Sequence, residues 1–148
     1  APDGSLFSGG TDRGWGARGG KRYALDRVVW TGKNPFEILE MRIQKDGFEL
    51  EFTKPVTKAS VESVESYEIK TRTYIFQGRY GSPRVDASEP VIKSAKLAPD
   101  GKTVKLVVEG LQRGHIHELK SAGVRSKDED HPLLHDMAYY TIWHFPKS

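Results

Sequence analysis

Residues 36–53 read "FEILEMRIQKDGFELEFT", two runs of alternating apolar and polar side chains around Asp46-Gly47. In an extended chain successive side chains point to opposite faces, so Phe48, Leu50 and Phe52 share one face while Glu49 and Glu51 share the other. Asp-Gly between two such runs is the strongest short-range signal for a β-hairpin. In the first run Phe36 and Ile38 are out of phase with Met41 and Ile43, which predicts a β-bulge. The arrangement recurs over 91–110, where "VIKSAKLA" and "KTVKLVVEG" flank "PDG" and place Val104, Leu106 and Val108 on one face. Half-apolar strands of this kind need a second sheet to cover them.

Further extended segments are read at 5–9, 23–32, 67–76, 115–124 and 138–145. Residues 77–90 read as a long Gly/Pro/Ser loop and 128–136 as a charged loop. Only "KPVTKASVESVESY" (54–67) has room for one or two helical turns. Short strands without long helices exclude an α/β fold and predict an all-β sandwich. "NP" at 34–35 marks a boundary between a glycine-rich β arm, residues 1–33, and the sandwich, residues 34–148.

Charge placement narrows the partners. The net charge of +3 comes from the arm, where six Lys/Arg face three Asp/Glu; residues 34–148 hold seventeen of each. A nucleic-acid binder carries a larger basic excess on one face, so no nucleic-acid partner is expected. No run of about 18 apolar residues exists, so no membrane span is expected. The absence of cysteine excludes a disulfide framework and thiolate metal sites.

The arm contains "GGTDRGWGARGGKR" (9–22), with six glycines, three arginines and a tryptophan. It reads either as a loop holding an acidic group or a sugar through Arg13, Trp15 and Arg18, or as a connector. No helix follows it, so it is not a phosphate cradle. Trp and Tyr suit the wet, amphipathic contact a pyranose offers, and Arg catches hydroxyls or carboxylates. Tyr80 in the 77–90 loop, with Arg79 and Arg84 beside it, is the best such candidate. Trp30, Tyr74, Phe76, Tyr139 and Trp143 lie on strands and are expected to fill the core.

"HIH" puts His115 and His117 on one strand face, and His131 or His135 on the following loop offers a third imidazole for zinc or copper. That is the alternative reading, a small metal-dependent enzyme; the alternative to it is four structural histidines. Glu49/Glu51, Glu62/Glu65 and Asp128-Glu129-Asp130 are carboxylate pairs or runs, but nothing in the sequence brings them together across a sugar as glycosidase chemistry requires. There is no G-x-S-x-G, H-E-x-x-H or P-loop motif, and no cofactor is expected.

"FTKPV", "SYEI", "SAKLAPDGKTVKLVVEGLQRGHIHEL" and "GVRSKDEDHPLLHDMAYYTI" resemble bacterial Ig-like domains. The matching positions are Asp100, Gly101, Val104, Leu106 and Val108, then Leu111, Gly114, His117 and Leu119, then Gly123, Val124, Ser126 and Leu133. That family commonly has an aromatic where His117 stands and a glycine where Asp130 stands. The resemblance implies an Ig-like or fibronectin-like sandwich with His117 in a core position. Over the whole chain, "DGSLFSGGTDRGWGARGGKRYALDRVVWTG", "RTYIFQGRYGSPRVD" and "AYYTIWHFP" resemble the end of a β-propeller and the module appended to it in sugar-dehydrogenase-like proteins of planctomycete and verrucomicrobial type. This implies a periplasmic or extracellular setting and a non-catalytic accessory module. Its role would be that of a spacer or interaction domain, with polysaccharide or neighbouring domains as partners.

Overall fold

The structure, a computed structural model, describes residues 1–11 and 21–146. It divides into two compact units, Ala1–Asn34 and Pro35–Ser148. In the first unit β1 (Leu6–Thr11) pairs antiparallel with β2 (Tyr23–Val28), from Leu6 opposite Val28 to Thr11 opposite Tyr23. Arg27 is ion-paired with Asp3, and its guanidinium lies 5.9 Å from the centroid of the Phe7 ring.

In the second unit the alternating runs become eight strands in two antiparallel sheets. One sheet has the order β3-β4-β8-β7 and comprises β3 (Ile38–Gln44), β4 (Gly47–Phe52), β7 (Val91–Leu97) and β8 (Thr103–Glu109). The other has the order β10-β9-β5-β6 and comprises β5 (Glu68–Tyr74), β6 (Arg84–Ser88), β9 (Ile116–Lys120) and β10 (Met137–Thr141). These orders are those of an immunoglobulin constant-type sandwich with one further strand, β6, added at the edge of the second sheet. Between β4 and β5 lie α1 (Lys58–Glu62) and a single 3-10 turn, Val64–Ser66, within the segment given room for one or two turns.

The core lies between the sheets. Phe48, Leu50 and Phe52 of β4 and Val104, Leu106 and Val108 of β8 are buried against Ile69, Leu119 and Ile142. Each fully buried side chain of this size contributes about 1.5–3 kcal/mol relative to exposure. The Phe48 ring bridges the sheets, its centroid 5.8 Å from that of His117 and 5.7 Å from that of Tyr140. The Tyr67 hydroxyl donates to the Val61 carbonyl at 2.9 Å, which ties the helical segment to the start of β5. Burial pushes that phenol well above its usual range.

The bulge in the first run is present, as a register shift between Ile38 and Glu40 against β4. The hairpin turn differs from the expected one. Gln44 pairs with Gly47, so Lys45 and Asp46 form the turn and Gly47 is the first residue of β4. Gly47 is required by close approach: a Cβ there would lie 1.8 Å from the Leu106 carbonyl oxygen. Asp130, at the family's glycine position, has φ 52, the left-handed region that glycine adopts most easily and Asp tolerates better than most residues. Strand β6 lies in the stretch read as loop. Its sequence "RVDAS" alternates only Val85 and Ala87 with polar residues, between the turn-forming Gly81-Ser82-Pro83 and Glu89-Pro90, and Asp86 within it has φ 53.

Candidate functional site

Among the described residues, exposed binding chemistry is concentrated on the β5–β6 hairpin. Along 67–76 the residues Tyr67, Ile69 and Thr71 are buried. Period-two geometry therefore sends Lys70, Arg72 and Tyr74 outward. Tyr74 pairs with Arg84 across the hairpin, and the Ile75 N–H donates to the Pro83 carbonyl at 3.2 Å. The tip is closed by the Gln77 amide donating to the Gly81 carbonyl at 2.5 Å, with Gly81 at φ 78. Phe76, just before this closure, and Tyr80, within it, are fully exposed.

Residues 71–85 carry Arg72, Arg79 and Arg84 and no carboxylate. Arg72 is ion-paired with Glu118, and its guanidinium lies 5.9 Å from the centroid of the Tyr74 ring. The hydrogen bond from Arg72, reinforced by Arg84, holds the Tyr74 hydroxyl below the usual tyrosine range. Arg79 is exposed, and no described residue forms an ion pair with it. The hairpin thus offers flat rings with the guanidinium groups of Arg79 and Arg84, neither ion-paired with a described residue, a surface suited to acidic or hydroxyl-rich partners.

Of the sugar-contact candidates, Tyr80, Arg79 and Arg84 come together on this hairpin. Arg13, Trp15 and Arg18 lie outside the described residues. The five aromatics expected in the core are instead exposed, from 40% for Tyr74, through 59% for Tyr139 and 67% for Trp30 and Trp143, to 100% for Phe76. Trp30, Phe76 and Trp143 lie beyond the ends of β2, β5 and β10, and for the others the reason is parity. Tyr74 alternates in phase with Glu68, Lys70 and Arg72, and Tyr139 is out of phase with buried Ala138. Phe76, Tyr74 and Arg72 are therefore site residues that the sequence reading missed, although the charged residues in phase with them marked the outward face.

The four histidines do not converge. His115 and His117 are both buried, as the shared strand face required. His115 Nε2 lies 2.9 Å from Asp86 Oδ2, and its Nδ1 lies 3.1 Å from the Arg113 carbonyl oxygen. His117 Nε2 accepts the Gln112 N–H at 3.3 Å, its Nδ1 has no hydrogen-bond partner, and burial pushes its pKa down. His131 and His135 are held elsewhere, their Nδ1 atoms 3.2 Å from Glu129 and 2.7 Å from Glu37. The physical reason is the course of the 128–136 loop. It binds the segment leading into β3, with the Leu134 N–H donating to the Phe36 carbonyl at 3.0 Å, while His117 points between the sheets. The expected trio of His115, His117 and His131 or His135 is corrected accordingly. Among the described residues no group of three His, Asp or Glu side chains is placed to hold a metal ion. Glu49 and Glu51, facing solvent, both pair with Arg42, at 3.4 and 2.6 Å.

The fold and this surface define an Ig-like β-sandwich with a projecting aromatic–basic hairpin. No protein-family model and no curated protein matches the chain. Among solved structures it is similar to the N-terminal part of the bacterial S-layer protein SbsC, at TM-score 0.55 and 17% identity over 74% of this chain and 24% of that one. It is also similar to the S-layer protein rSbsC(31-844), at TM-score 0.54 and 17% identity over 73% of this chain and 14% of that one. The chain therefore spans about a quarter or less of the structures it resembles, and at this identity the likeness is one of fold.

Proposed function

We propose that the sandwich is a non-catalytic accessory module of an exported, multidomain surface protein, acting as spacer and interaction domain. The observation that carries this reading is the hairpin tip, where Phe76 and Tyr80 are fully exposed beside Arg79. A filled core with its binding chemistry on a projecting loop suits contact-making rather than turnover. The fold likeness to pieces of a much longer S-layer protein supports a place within a larger extracellular chain. Carbohydrate is the small-ligand class this tip suits, with Tyr80 and Phe76 stacking on sugar faces and Arg79 and Arg84 binding hydroxyls or carboxylates. In the parent protein a sugar-dehydrogenase-like propeller would precede the module, which the upstream gene sequence tests directly.

Affinity electrophoresis through polysaccharide gels checks the carbohydrate role. The wild-type chain is expected to be retarded in at least one neutral or acidic polysaccharide, and Tyr80→Ala to run freely. Equal mobility of the two proteins in every gel removes carbohydrate from the reading and leaves the spacer role.

A further inference from the structure

At the opposite end of β5 from the hairpin tip lies a groove of about 590 Å³, opened by the way β6 ends. Strand β6 pairs with β5 only from Thr71, opposite Ser88, onward, and Glu89-Pro90 then carry the chain across to β7. Glu68, Ile69 and Lys70 are therefore paired with β9 on one side and with no strand on the other. Tyr67, Ile69 and Ile92 supply the apolar floor of the groove, and Glu65, Glu68 and Glu89 its acidic rim. Lys70, 3.9 Å from Glu89, is the one cation in the lining; no described residue forms an ion pair with Glu65 or Glu68.

The two ends of β5 are opposite in charge. One end projects aromatic rings with Arg79 and Arg84, with which no described carboxylate forms an ion pair; the other recesses an apolar floor behind Glu65, Glu68 and Glu89, of which only Glu89 has a described cation beside it. The groove is open to solvent, and its volume leaves room for a phenol ring with an adjoining guanidinium laid against the floor. The six residue steps from Glu68 to Tyr74 separate the two surfaces by roughly 20 Å along a paired strand. A tip therefore cannot reach the groove of its own copy.

We infer that the partner of the hairpin is a second copy of this chain, with Phe76, Arg79 and Tyr80 of one copy seated in the groove of the next. This rests on the interaction-module reading and names its partner. Because tip and groove are different surfaces, one contact leaves the pair with one free groove and one free tip, so association either continues head to tail or closes as a twofold dimer in which both contacts form. The charge pairing makes it weaken with salt.

Sedimentation velocity from micromolar to millimolar protein tests this. The average mass of the wild-type chain is expected to rise with concentration and to fall on adding salt. The tip variant Arg79→Glu/Tyr80→Ala and the groove variant Glu68→Lys/Glu89→Lys alter side chains at the surface. Unchanged far-UV dichroism and melting confirm that both variants fold. Each alone is expected to associate about tenfold or more weakly than wild type. Mixed together, they are expected to form one-to-one dimers and nothing larger, because each pair retains one intact tip and one intact groove. A wild-type chain that stays monomeric at millimolar concentration overturns the proposal, as do folded variants that fail to pair when mixed or that alone still associate as tightly as wild type. Retardation in a polysaccharide gel by a protein that stays monomeric sinks self-association and leaves the carbohydrate reading in place.

Discussion

The two sheets of the sandwich use the same alternation to opposite ends. In β3-β4-β8-β7 the inner face of the two central strands is wholly apolar, from Phe48 to Val108. Its outer face is a ladder of ion pairs, with Arg42 reaching Glu40, Glu49 and Glu51, and Lys105 lying 3.1 Å from Asp46. In β10-β9-β5-β6 the inner face includes Thr71 and His117 beside Ile69 and Leu119, while the outer face carries Tyr74, Tyr139 and the Arg72–Glu118 pair. The first sheet concentrates burial and so supplies stability. The second places part of its aromatic area outside, where it contributes little to folding and is free to make contacts. Apolar content alone does not say which face is buried; the company each residue keeps in its own phase does.

This contrast can be broken most forcefully at Phe48. Phe48→Ala empties the space between the sheets and should cost about 3–5 kcal/mol, read as a lowered urea midpoint. A loss under about 1 kcal/mol would mean that the inner face of the first sheet is not the main source of stability. Gly47→Ala forces a Cβ against the Leu106 carbonyl and should cost about 1–3 kcal/mol through overpacking. An unchanged midpoint would show that the β4–β8 approach is looser than described.

His117 probes the second sheet through pH. Its folded pKa lies below the usual histidine value of 6.5 because burial disfavours the imidazolium. As pH falls through the unfolded value, the unfolded chain therefore takes up the proton first and the fold loses stability, by at most about 1.4 kcal/mol per pH unit. His117→Phe, which installs the aromatic common in the resembling family, should flatten the slope of stability against pH between neutrality and the acid side of 6.5. Parallel slopes for the two proteins would mean that the imidazole does not titrate with folding. The smallest effect belongs to the hairpin: Tyr80→Ala and Phe76→Ala should each stay within about 0.5 kcal/mol of wild type in the same urea titration. A larger loss would show that these rings pack against the domain.

How far the sequence carried the fold is visible strand by strand. Alternation located β4 and β8, and a phase change located the bulge at Ile38/Glu40. Asp46-Gly47 announced a hairpin, although the turn itself falls on Lys45 and Asp46. Strand β6 was hidden because its alternation, Val85 and Ala87, is short and set among the turn-forming residues Gly81, Ser82, Pro83 and Pro90. The candidate site was half legible. Tyr80, Arg79 and Arg84 were named from one loop, but Phe76, Tyr74 and Arg72 required reading phase before hydrophobicity, and the four histidines were joined in prospect by proximity in sequence alone.

What the residues determined by themselves was local: which side chains share a face, where the chain turns, and where two runs pair. These follow from the period-two geometry of an extended backbone, which needs no partner. Only the tertiary structure decided that His115 faces Asp86 while His135 faces Glu37, that Gly47 lies against Leu106, and that Tyr74 of β5 and Tyr139 of β10 look outward. Each of these depends on what a second element brings to the same place, and burial is a property of the pair.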